Sequence, residues 1–162
     1  MAMTTSPDPR RPAAPGTHPT AEGRVLVTTS PDATEAAAAS LARCLGVGDL
    51  VLLTGEMGAG KTTFVRGLAR GLRVYGHVAS PTFQLVRTYP GRLQLAHVDL
   101  YRVTSDEELE ELGLDELLDQ GAVVVEWGGR LAGAGARRIT IEVLDEHSRR
   151  LQITEAPEWW SW

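Results

Sequence analysis

The sequence of 162 residues contains no asparagine, a single lysine (Lys61) and a single cysteine (Cys44). One cysteine cannot form an internal disulfide, which favours a reducing compartment. GTPases that read guanine through an Asn-Lys-x-Asp signature are excluded, because that signature begins with asparagine. The missing residue types therefore argue against a disulfide-stabilised secreted domain and remove one large class of nucleotide-binding proteins.

Long apolar runs and clusters of positive charge are also missing. No stretch approaches the roughly 18 apolar residues that span a bilayer, and the N-terminus lacks the apolar core of a signal peptide. The formal net charge is −5, and no basic run indicates a surface that binds nucleic acid as a whole. These features predict a single-domain cytoplasmic protein without a membrane segment.

The chain divides into an arm, a body and a tail. Residues 1–23 contain five prolines and almost no large apolar side chains, which predicts a disordered arm. Residues 24–155 carry the alternating strand and helix patterns of a folded domain. Residues 156–162 form a tail that is rich in tryptophan. Two interpretations of this tail stay open: an exposed interaction tag, or a segment that folds back onto the body.

Apolar periodicity and turn residues predict an α/β fold. A buried-type strand precedes a glycine-rich loop and a helix, and a second buried-type strand follows later in the chain. Two hairpins are expected, one around Pro90-Gly91 and one around His147-Ser148. The predicted strands cover 24–28, 49–55, 83–89, 92–98, 122–127, 137–146 and 149–155, and the predicted helices follow Ser30, Gly60 and Ser105.

The glycine-rich loop matches the phosphate-binding pattern G-x-x-x-x-G-K-[ST] through Gly55, Gly60, Lys61 and Thr62, with Gly58 inside it. Glycines allow backbone N–H groups to curl around phosphate oxygens, and the following helix points its positive dipole end at them. The lysine is a compact charge for the β- and γ-phosphates, and the threonine hydroxyl is a Mg²⁺ ligand. Arginine replaces such a lysine poorly, which explains why a chain with fifteen arginines keeps one lysine here.

A phosphate loop requires a further acid to hold Mg²⁺ or its water, usually at the end of an apolar strand. Asp99 and Glu126 both end such strands. His97 shares a strand face with Asp99, because side chains two residues apart point the same way. It is either a residue that polarises a catalytic water or a hydrogen-bonded structural histidine, and the second interpretation is favoured.

Five segments, "GEMGAGKTTF", "SPTFQLV", "HVDLYR", "EELEELGLDELL" and "VVVEW", occur in this order between about Val25 and Leu131. Together they resemble the TsaE family, also called YjeE. The resemblance implies a P-loop NTPase-like mixed sheet flanked by helices in three α/β/α layers. It implies a weak Mg-dependent ATPase that acts with TsaD and TsaB in the synthesis of threonylcarbamoyladenosine (t6A) in tRNA, with tRNA reached only through the complex.

The resemblance also implies site residues. Lys61, Asp99 and Glu126 would support catalysis, and Thr62, Glu126 and Asp99 would surround the metal ion. Thr34 would lie near the adenine and Thr82 in a nucleotide-sensing switch. Trp127, which follows the metal acid, either reports the nucleotide state or simply packs in the core. The phosphate cradle would comprise Gly55, Glu56, Met57, Gly58, Ala59, Gly60, Lys61, Thr62 and Thr63. The family usually continues V-E-W with proline, whereas this chain has Gly128-Gly129, which predicts a more mobile loop.

Alternative functions remain open at this point. A P-loop kinase of a small metabolite would transfer the γ-phosphate, and a nucleotide-dependent scaffold would act without meaningful turnover. The segment 106–119 holds eight carboxylates, and it is either a solvated helix face or a docking surface for a basic partner.

Overall fold

The computed structural model describes residues 24–81, 84–131, 135–157 and 159–162, so the predicted N-terminal arm lies outside the described residues. Within the described residues, no helix is both long and apolar enough to cross a membrane. The described strands are Val25–Thr28 (β1), Leu50–Thr54 (β2), Val86–Tyr89 (β3), Gln94–Asp99 (β4), Gly121–Glu126 (β5), Arg137–Val143 (β6) and Arg149–Glu155 (β7). The described helices are Pro31–Ala42 (α1), Lys61–Gly71 (α2), Asp106–Glu111 (α3) and Leu114–Gln120 (α4).

The strands form one mixed sheet in the order β1-β7-β6-β2-β5-β4-β3. Strands β6, β2, β5 and β4 are parallel, and both predicted hairpins, β3–β4 and β6–β7, are antiparallel pairs. Because β2, β5 and β4 run in the same direction, their carboxyl ends meet at one edge of the sheet. Glu126 is aligned there with Leu53 on one side and Asp99 on the other. The topology therefore places the loop after β2 beside the two predicted acids.

Helices cover both faces of the sheet. Successive residues of a strand point to opposite faces, so Val51 and Leu53 pack with α1 and α2, whereas Leu52 packs on the other side. In β5, Val124 belongs to the first cluster and Val125 to the second, which also includes leucines of α3 and α4. This burial on both faces explains the continuous apolar runs, and the predicted three-layer α/β/α class is confirmed.

Side-chain caps begin α1 and α3 as the sequence predicts. Ser30 Oγ accepts the N–H of Ala33 at 3.1 Å, and Ser105 Oγ accepts the N–H of Glu108 at 3.2 Å. The carboxylate of Glu108 accepts the hydroxyl of Thr104 at 3.3 Å. Each cap satisfies a backbone donor that the first helical turn leaves without an intrahelical partner.

The tryptophan-rich tail folds back onto the core. Trp160 is 1% exposed, and its Nε1 donates to the carbonyl oxygen of Leu41 in α1 at 3.2 Å. Trp162 donates to the carbonyl oxygen of Arg24 at 3.0 Å, and its ring meets Phe64 edge-on at 6.3 Å between centroids. The tail thus closes the layer formed by α1 and α2, which decides between the two interpretations that the sequence left open.

Replacing Trp160 with alanine is expected to lower the free energy of unfolding by about 3 kcal/mol, because it empties a buried ring site and removes one hydrogen bond to the Leu41 carbonyl. Urea denaturation measures the change. Tyr75→Ala is the control, since Tyr75 is 86% exposed, and it should stay within about 0.5 kcal/mol of the wild type. Equal stability of both variants would show that the tail does not pack on the core in solution.

Helices α1 and α2 cross at close range through small residues. A Cβ atom at Gly67 would overlap the carbonyl oxygen of Glu35 and lie 2.6 Å from the Cβ of Ala38. A Cβ atom at Gly71 would overlap the carbonyl oxygen of Ala39. The glycines of α2 therefore fix the distance between the two helices, and with it the position of the loop from which α2 begins.

Gly67→Ala is expected to destabilise the fold by about 2 kcal/mol, because the added methyl group forces the two helix backbones apart. Thermal unfolding measures the loss. Gly129→Ala is a matched control, since its Cβ would have only an ordinary contact with Thr54, at 3.6 Å. The close crossing would be contradicted if Gly67→Ala unfolded at the same temperature as Gly129→Ala.

Candidate functional site

The loop between β2 and α2 has the backbone of an anion cradle. Gly58 and Gly60 have φ values of 78° and 105°, a left-handed conformation that glycine adopts without a side-chain clash. Gly55 is required for a different reason, because a Cβ atom there would lie 2.6 Å from the carbonyl oxygen of Ile141. Helix α2 begins at Lys61, so its positive dipole end adjoins the loop. The predicted strand–loop–helix order is confirmed, and its chemistry suits a phosphate group.

The single lysine is held inside this loop. Lys61 is buried, and its Nζ donates to the carbonyl oxygens of Gly55 at 2.8 Å and Glu56 at 2.7 Å. Desolvation lowers the pKa of Lys61 below its usual value, while the negative charges of Glu126, Asp99 and Glu56 oppose that shift. The ammonium group therefore lies at the loop with two carbonyl acceptors, which phosphate oxygens would replace.

The ring of Trp127 covers this ammonium group. Lys61 Nζ lies 4.1 Å from the ring centroid, a cation–π contact, and the ring also contacts Tyr101 with centroids 5.1 Å apart. Trp127 has φ of 60°, which is uncommon for a bulky side chain and requires support from its surroundings. The next position has little room for a side chain, because a Cβ atom at Gly128 would lie 3.0 Å from the Leu52 side chain. Trp127 is thus placed to respond to changes around Lys61.

Glu126 joins the start of α2 to strand β4. Its Oε1 accepts the hydroxyl of Thr62 at 3.0 Å, and its Oε2 lies 2.7 Å from Nε2 of His97. Both acid and histidine are buried. A carboxylate and a hydroxyl at this separation are the hard oxygen ligands that Mg²⁺ takes together with phosphate oxygens and waters. The pair that the sequence assigned to the metal is therefore in contact.

His97 faces Glu126 from a fully buried position. With Glu126 ionised, His97 Nε2 carries the proton and donates it into the 2.7 Å hydrogen bond. In the described part of the chain, His97 Nδ1 has no hydrogen-bond partner. A ring with no exposed surface cannot touch water in a cleft. The geometry thus supports the hydrogen-bonded structural histidine over the residue that polarises a catalytic water.

Asp99 is oriented by the protein while remaining partly exposed. Its Oδ2 accepts the hydroxyl of Ser80 at 3.0 Å, and its Oδ1 accepts the N–H of Tyr101 at 3.0 Å. These bonds hold the carboxylate at the sheet edge beside Glu126. Its remaining lone pairs are available to water, as a role in hydrolysis requires.

These groups surround an open cleft of about 280 Å³. That volume is close to the lower limit of small-molecule sites, and its walls combine a loop of backbone N–H groups with one cation and two acids. The lining residues are Met57, Gly58, Gly60, Lys61, Thr62, Ser80, Asp99, Tyr101, Glu126 and Trp127.

Thr34 lies in a second, smaller pocket of about 130 Å³ that shares Gly60 with the cleft. Its hydroxyl is 2.7 Å from that of Thr28, which ties α1 to β1. Arg149 forms part of the same pocket and donates from Nε to the carbonyl oxygen of Ala59 at 2.9 Å. The pocket also contains Ser30, Pro31, Thr63, Glu146 and His147. A nucleoside attached to a phosphate in the loop would have this space beside it.

Two parts of the site were not anticipated from the sequence. Glu146, His147 and Arg149 line the second pocket, and no motif indicated them, because only the sheet order brings the turn between β6 and β7 beside the loop. Ser80 and Tyr101 line the cleft, and both belong to the family-like segments "SPTF" and "HVDLYR". Thr82, the predicted nucleotide-sensing residue, lies outside the described residues.

Comparison with known proteins gives a consistent result. Residues 28–153 match the family described as "Threonylcarbamoyl adenosine biosynthesis protein TsaE". The chain is 46% identical over 121 residues to the tRNA threonylcarbamoyladenosine biosynthesis protein TsaE of Streptomyces coelicolor. This alignment covers 72% of this chain and 75% of that protein. It is 40% identical over 115 residues to the TsaE protein of Treponema pallidum, and this alignment covers 68% of this chain and 85% of that protein.

A solved structure is also similar. The crystal structure of YdiB from Bacillus subtilis superposes with a TM-score of 0.69 at 31% identity, and the match covers 84% of this chain and 87% of that one. The similarity thus extends from the motifs to the arrangement of the whole sheet.

Proposed function

The chain belongs to the TsaE family of threonylcarbamoyl adenosine biosynthesis proteins, and we propose that it is the ATP-binding and ATP-hydrolysing component of the system that makes t6A in tRNA. The observation that carries the proposal is the Thr62–Glu126 contact of 3.0 Å beside the glycine loop. It joins a phosphate cradle to a metal-ligand pair, which is the combination that hydrolysis of a nucleoside triphosphate requires.

Each part of the loop has a role in binding. The backbone N–H groups from Gly58 to Thr63 would surround the phosphates, and the Lys61 ammonium would leave its two carbonyl acceptors for the β- and γ-phosphates. Thr34 would lie near the adenine, and Thr82 would sense the nucleotide state. The ring of Trp127 would then lose its cation–π partner, so its fluorescence would report binding.

Thr62 and Glu126 would hold Mg²⁺, with Asp99 close to it. When bound, the ion supplies positive charge that neutralises the phosphates during hydrolysis. Asp99 would orient the attacking water through its exposed lone pairs, and His97 would keep the Glu126 carboxylate turned toward Thr62.

The contacts of Lys61 and Asp99 support weak hydrolysis by the chain alone. Lys61 is engaged with two carbonyl groups and covered by Trp127, and both Asp99 oxygens accept hydrogen bonds from the protein. The Lys61 interactions must be exchanged before phosphate is bound productively, whereas the remaining Asp99 lone pairs can accept water as they are. A partner that favours the rearranged loop would therefore raise turnover.

The partners in this proposal are TsaD and TsaB, and the location is the cytoplasm. The net charge of −5 opposes tight binding of a polyanion, so tRNA would reach the chain through the assembled complex. ATP hydrolysis would reset that complex between turnovers, while the transfer of the threonylcarbamoyl group belongs to the partners.

Labelled ATP tests the reaction class. With γ-labelled ATP and Mg²⁺, the purified chain should release free phosphate slowly, and addition of TsaD and TsaB should accelerate release. Transfer of the label to a compound in a metabolite extract would instead favour a kinase. A chain that binds ATP but releases no phosphate under either condition would support the scaffold alternative.

A further inference from the structure

One arginine connects the turn between β6 and β7 to the phosphate loop. Arg149 is the first residue of β7 and is half-buried, and its Nε donates to the carbonyl oxygen of Ala59 inside the loop at 2.9 Å. Its Nη1 donates to the carbonyl oxygens of Asp145 and Ser148, both at 3.0 Å. The guanidinium group is therefore engaged with the backbone of two separate segments.

The bond to Ala59 fixes the direction of the next amide group. The peptide between Ala59 and Gly60 is trans, so the Ala59 carbonyl and the Gly60 N–H point in opposite directions. The carbonyl points to Arg149, which lines the second pocket, so the N–H points away from that pocket and toward the cleft that Gly60 also lines. Among the described residues, the Gly60 N–H has no hydrogen-bond partner. It is therefore available to a ligand in the cleft.

The conformation of Gly60 leaves this peptide without steric support. Gly60 has φ of 105°, and a Cβ atom there would meet no heavy atom within 4 Å. Glycine adopts both signs of φ about equally well, so a rotation of the preceding peptide meets little resistance. Ala59 is anchored on its other side, because it is fully buried and its N–H donates to the Glu56 carbonyl oxygen at 3.1 Å. The hydrogen bond from Arg149 thus acts at the loose end of the peptide.

The turn between β6 and β7 keeps the guanidinium group in a fixed position. Asp145 Oδ1 accepts the N–H groups of His147 at 2.8 Å and Ser148 at 2.7 Å, and Arg149 itself pairs with Thr28 of β1. A planar fork of donors reaches carbonyl groups in two directions at once, whereas a lysine carries a point charge on a flexible stem. An arginine at this position is therefore suited to hold a backbone group as well as to supply charge.

We propose that Arg149 is a positioning residue for ATP binding, which holds the Ala59–Gly60 peptide so that the Gly60 N–H is directed at the phosphates. The inference rests on the proposed function, because it requires that the loop binds the phosphates of ATP. An N–H group that is oriented before the ligand arrives does not have to be ordered on binding, which raises the affinity. Loss of Arg149 would therefore weaken binding of the phosphate chain while every loop residue remains.

Titration calorimetry of the full chain with Mg-ATP and with Mg-pyrophosphate tests the inference. Arg149→Gln is expected to weaken binding of both ligands about tenfold, because the Gly60 amide is no longer held. Arg149→Lys should weaken both at least about fivefold, since it keeps the charge without the planar fork. Pyrophosphate carries no nucleoside, so a loss seen with it cannot come from a contact between Arg149 and a base in the second pocket.

Arg150→Gln is the matched control, because Arg150 is the next residue of β7 and is exposed. It removes the same charge, and its affinities should equal those of the wild type. Thermal unfolding without ligand shows whether each variant is folded.

Amide NMR spectra provide a readout that a change in stability alone would not move. Saturating Mg-pyrophosphate should shift the Gly60 amide resonance of the wild type, and the shift should be smaller in Arg149→Gln at saturation. Wild-type affinity for pyrophosphate in either Arg149 variant would overturn the proposal. So would a Gly60 resonance that pyrophosphate leaves unmoved in the wild type, a result that needs no variant. Failure of the wild type to bind ATP would instead contradict the proposed function itself.

Discussion

Replacing Lys61 with alanine is expected to weaken binding of Mg-ATP about a thousandfold, or about 4 kcal/mol. The loss is large because Lys61 is the only cation among the described residues that line the cleft. The substitution removes the charge for the β- and γ-phosphates while the glycine backbone and Thr62 remain. Lys61→Arg should also bind poorly, because the ammonium group lies between two carbonyl oxygens and a ring, a space that a planar guanidinium does not fit.

Titration calorimetry with ATP and Mg²⁺ measures the change. Arg87→Ala serves as the control because Arg87 is exposed on β3, away from the cleft, and its affinity should equal that of the wild type. Circular dichroism confirms that each variant is folded. Near-normal affinity in Lys61→Ala would contradict the assignment of the loop.

Glu126→Gln is expected to reduce ATP hydrolysis about a thousandfold while ATP binding without Mg²⁺ changes only a few-fold. The amide preserves the size of the side chain and can still bond to Thr62 and His97. It removes the negative charge that would hold the metal ion. A loss of hydrolysis with ATP binding retained would therefore result from replacing one carboxylate oxygen with an amide nitrogen, and not from unfolding.

Phosphate release measured over a range of Mg²⁺ concentrations tests this prediction. The wild type should show metal-dependent turnover, and Glu126→Gln should show little at any concentration. Glu142→Gln is the matched control, because Glu142 is exposed on β6. Wild-type turnover in Glu126→Gln would show that Asp99, and not Glu126, is the acid that holds the metal ion. Loss of ATP binding without Mg²⁺ would show that Glu126 maintains the conformation of the phosphate loop.

Local patterns predicted most of the fold because each has a local physical cause. The continuous apolar runs of β2 and β5 arise from burial on both faces, and Ser30 and Ser105 satisfy the first donors of their helices. The phosphate loop was equally predictable, since its glycines and Lys61 are adjacent in sequence. Strand-end position also identified Asp99 and Glu126 before their alignment in the sheet was known.

Contacts between distant parts of the chain could not be predicted. The fold-back of Trp160 onto Leu41 spans 119 positions, and no periodic pattern encodes it. The bond from Arg149 to the carbonyl oxygen of Ala59 depends on the order of the strands. The same holds for a groove that is lined by Arg92 and by residues at the ends of α1 and α2. The net charge of −5 likewise does not show where individual charges lie. Four arginines line this groove at the ends of α1 and α2, namely Arg43, Arg70, Arg73 and Arg92.

Mass spectrometry of modified nucleosides tests the central claim most directly. Cells depleted of this protein would be complemented with the wild-type chain or with Lys61→Ala, and t6A would be quantified in their tRNA. We expect t6A to fall on depletion and to return only with the wild type, because both the pathway and its dependence on the phosphate loop are required. Normal t6A in depleted cells would contradict the proposed role, and full rescue by Lys61→Ala would contradict its dependence on bound nucleotide.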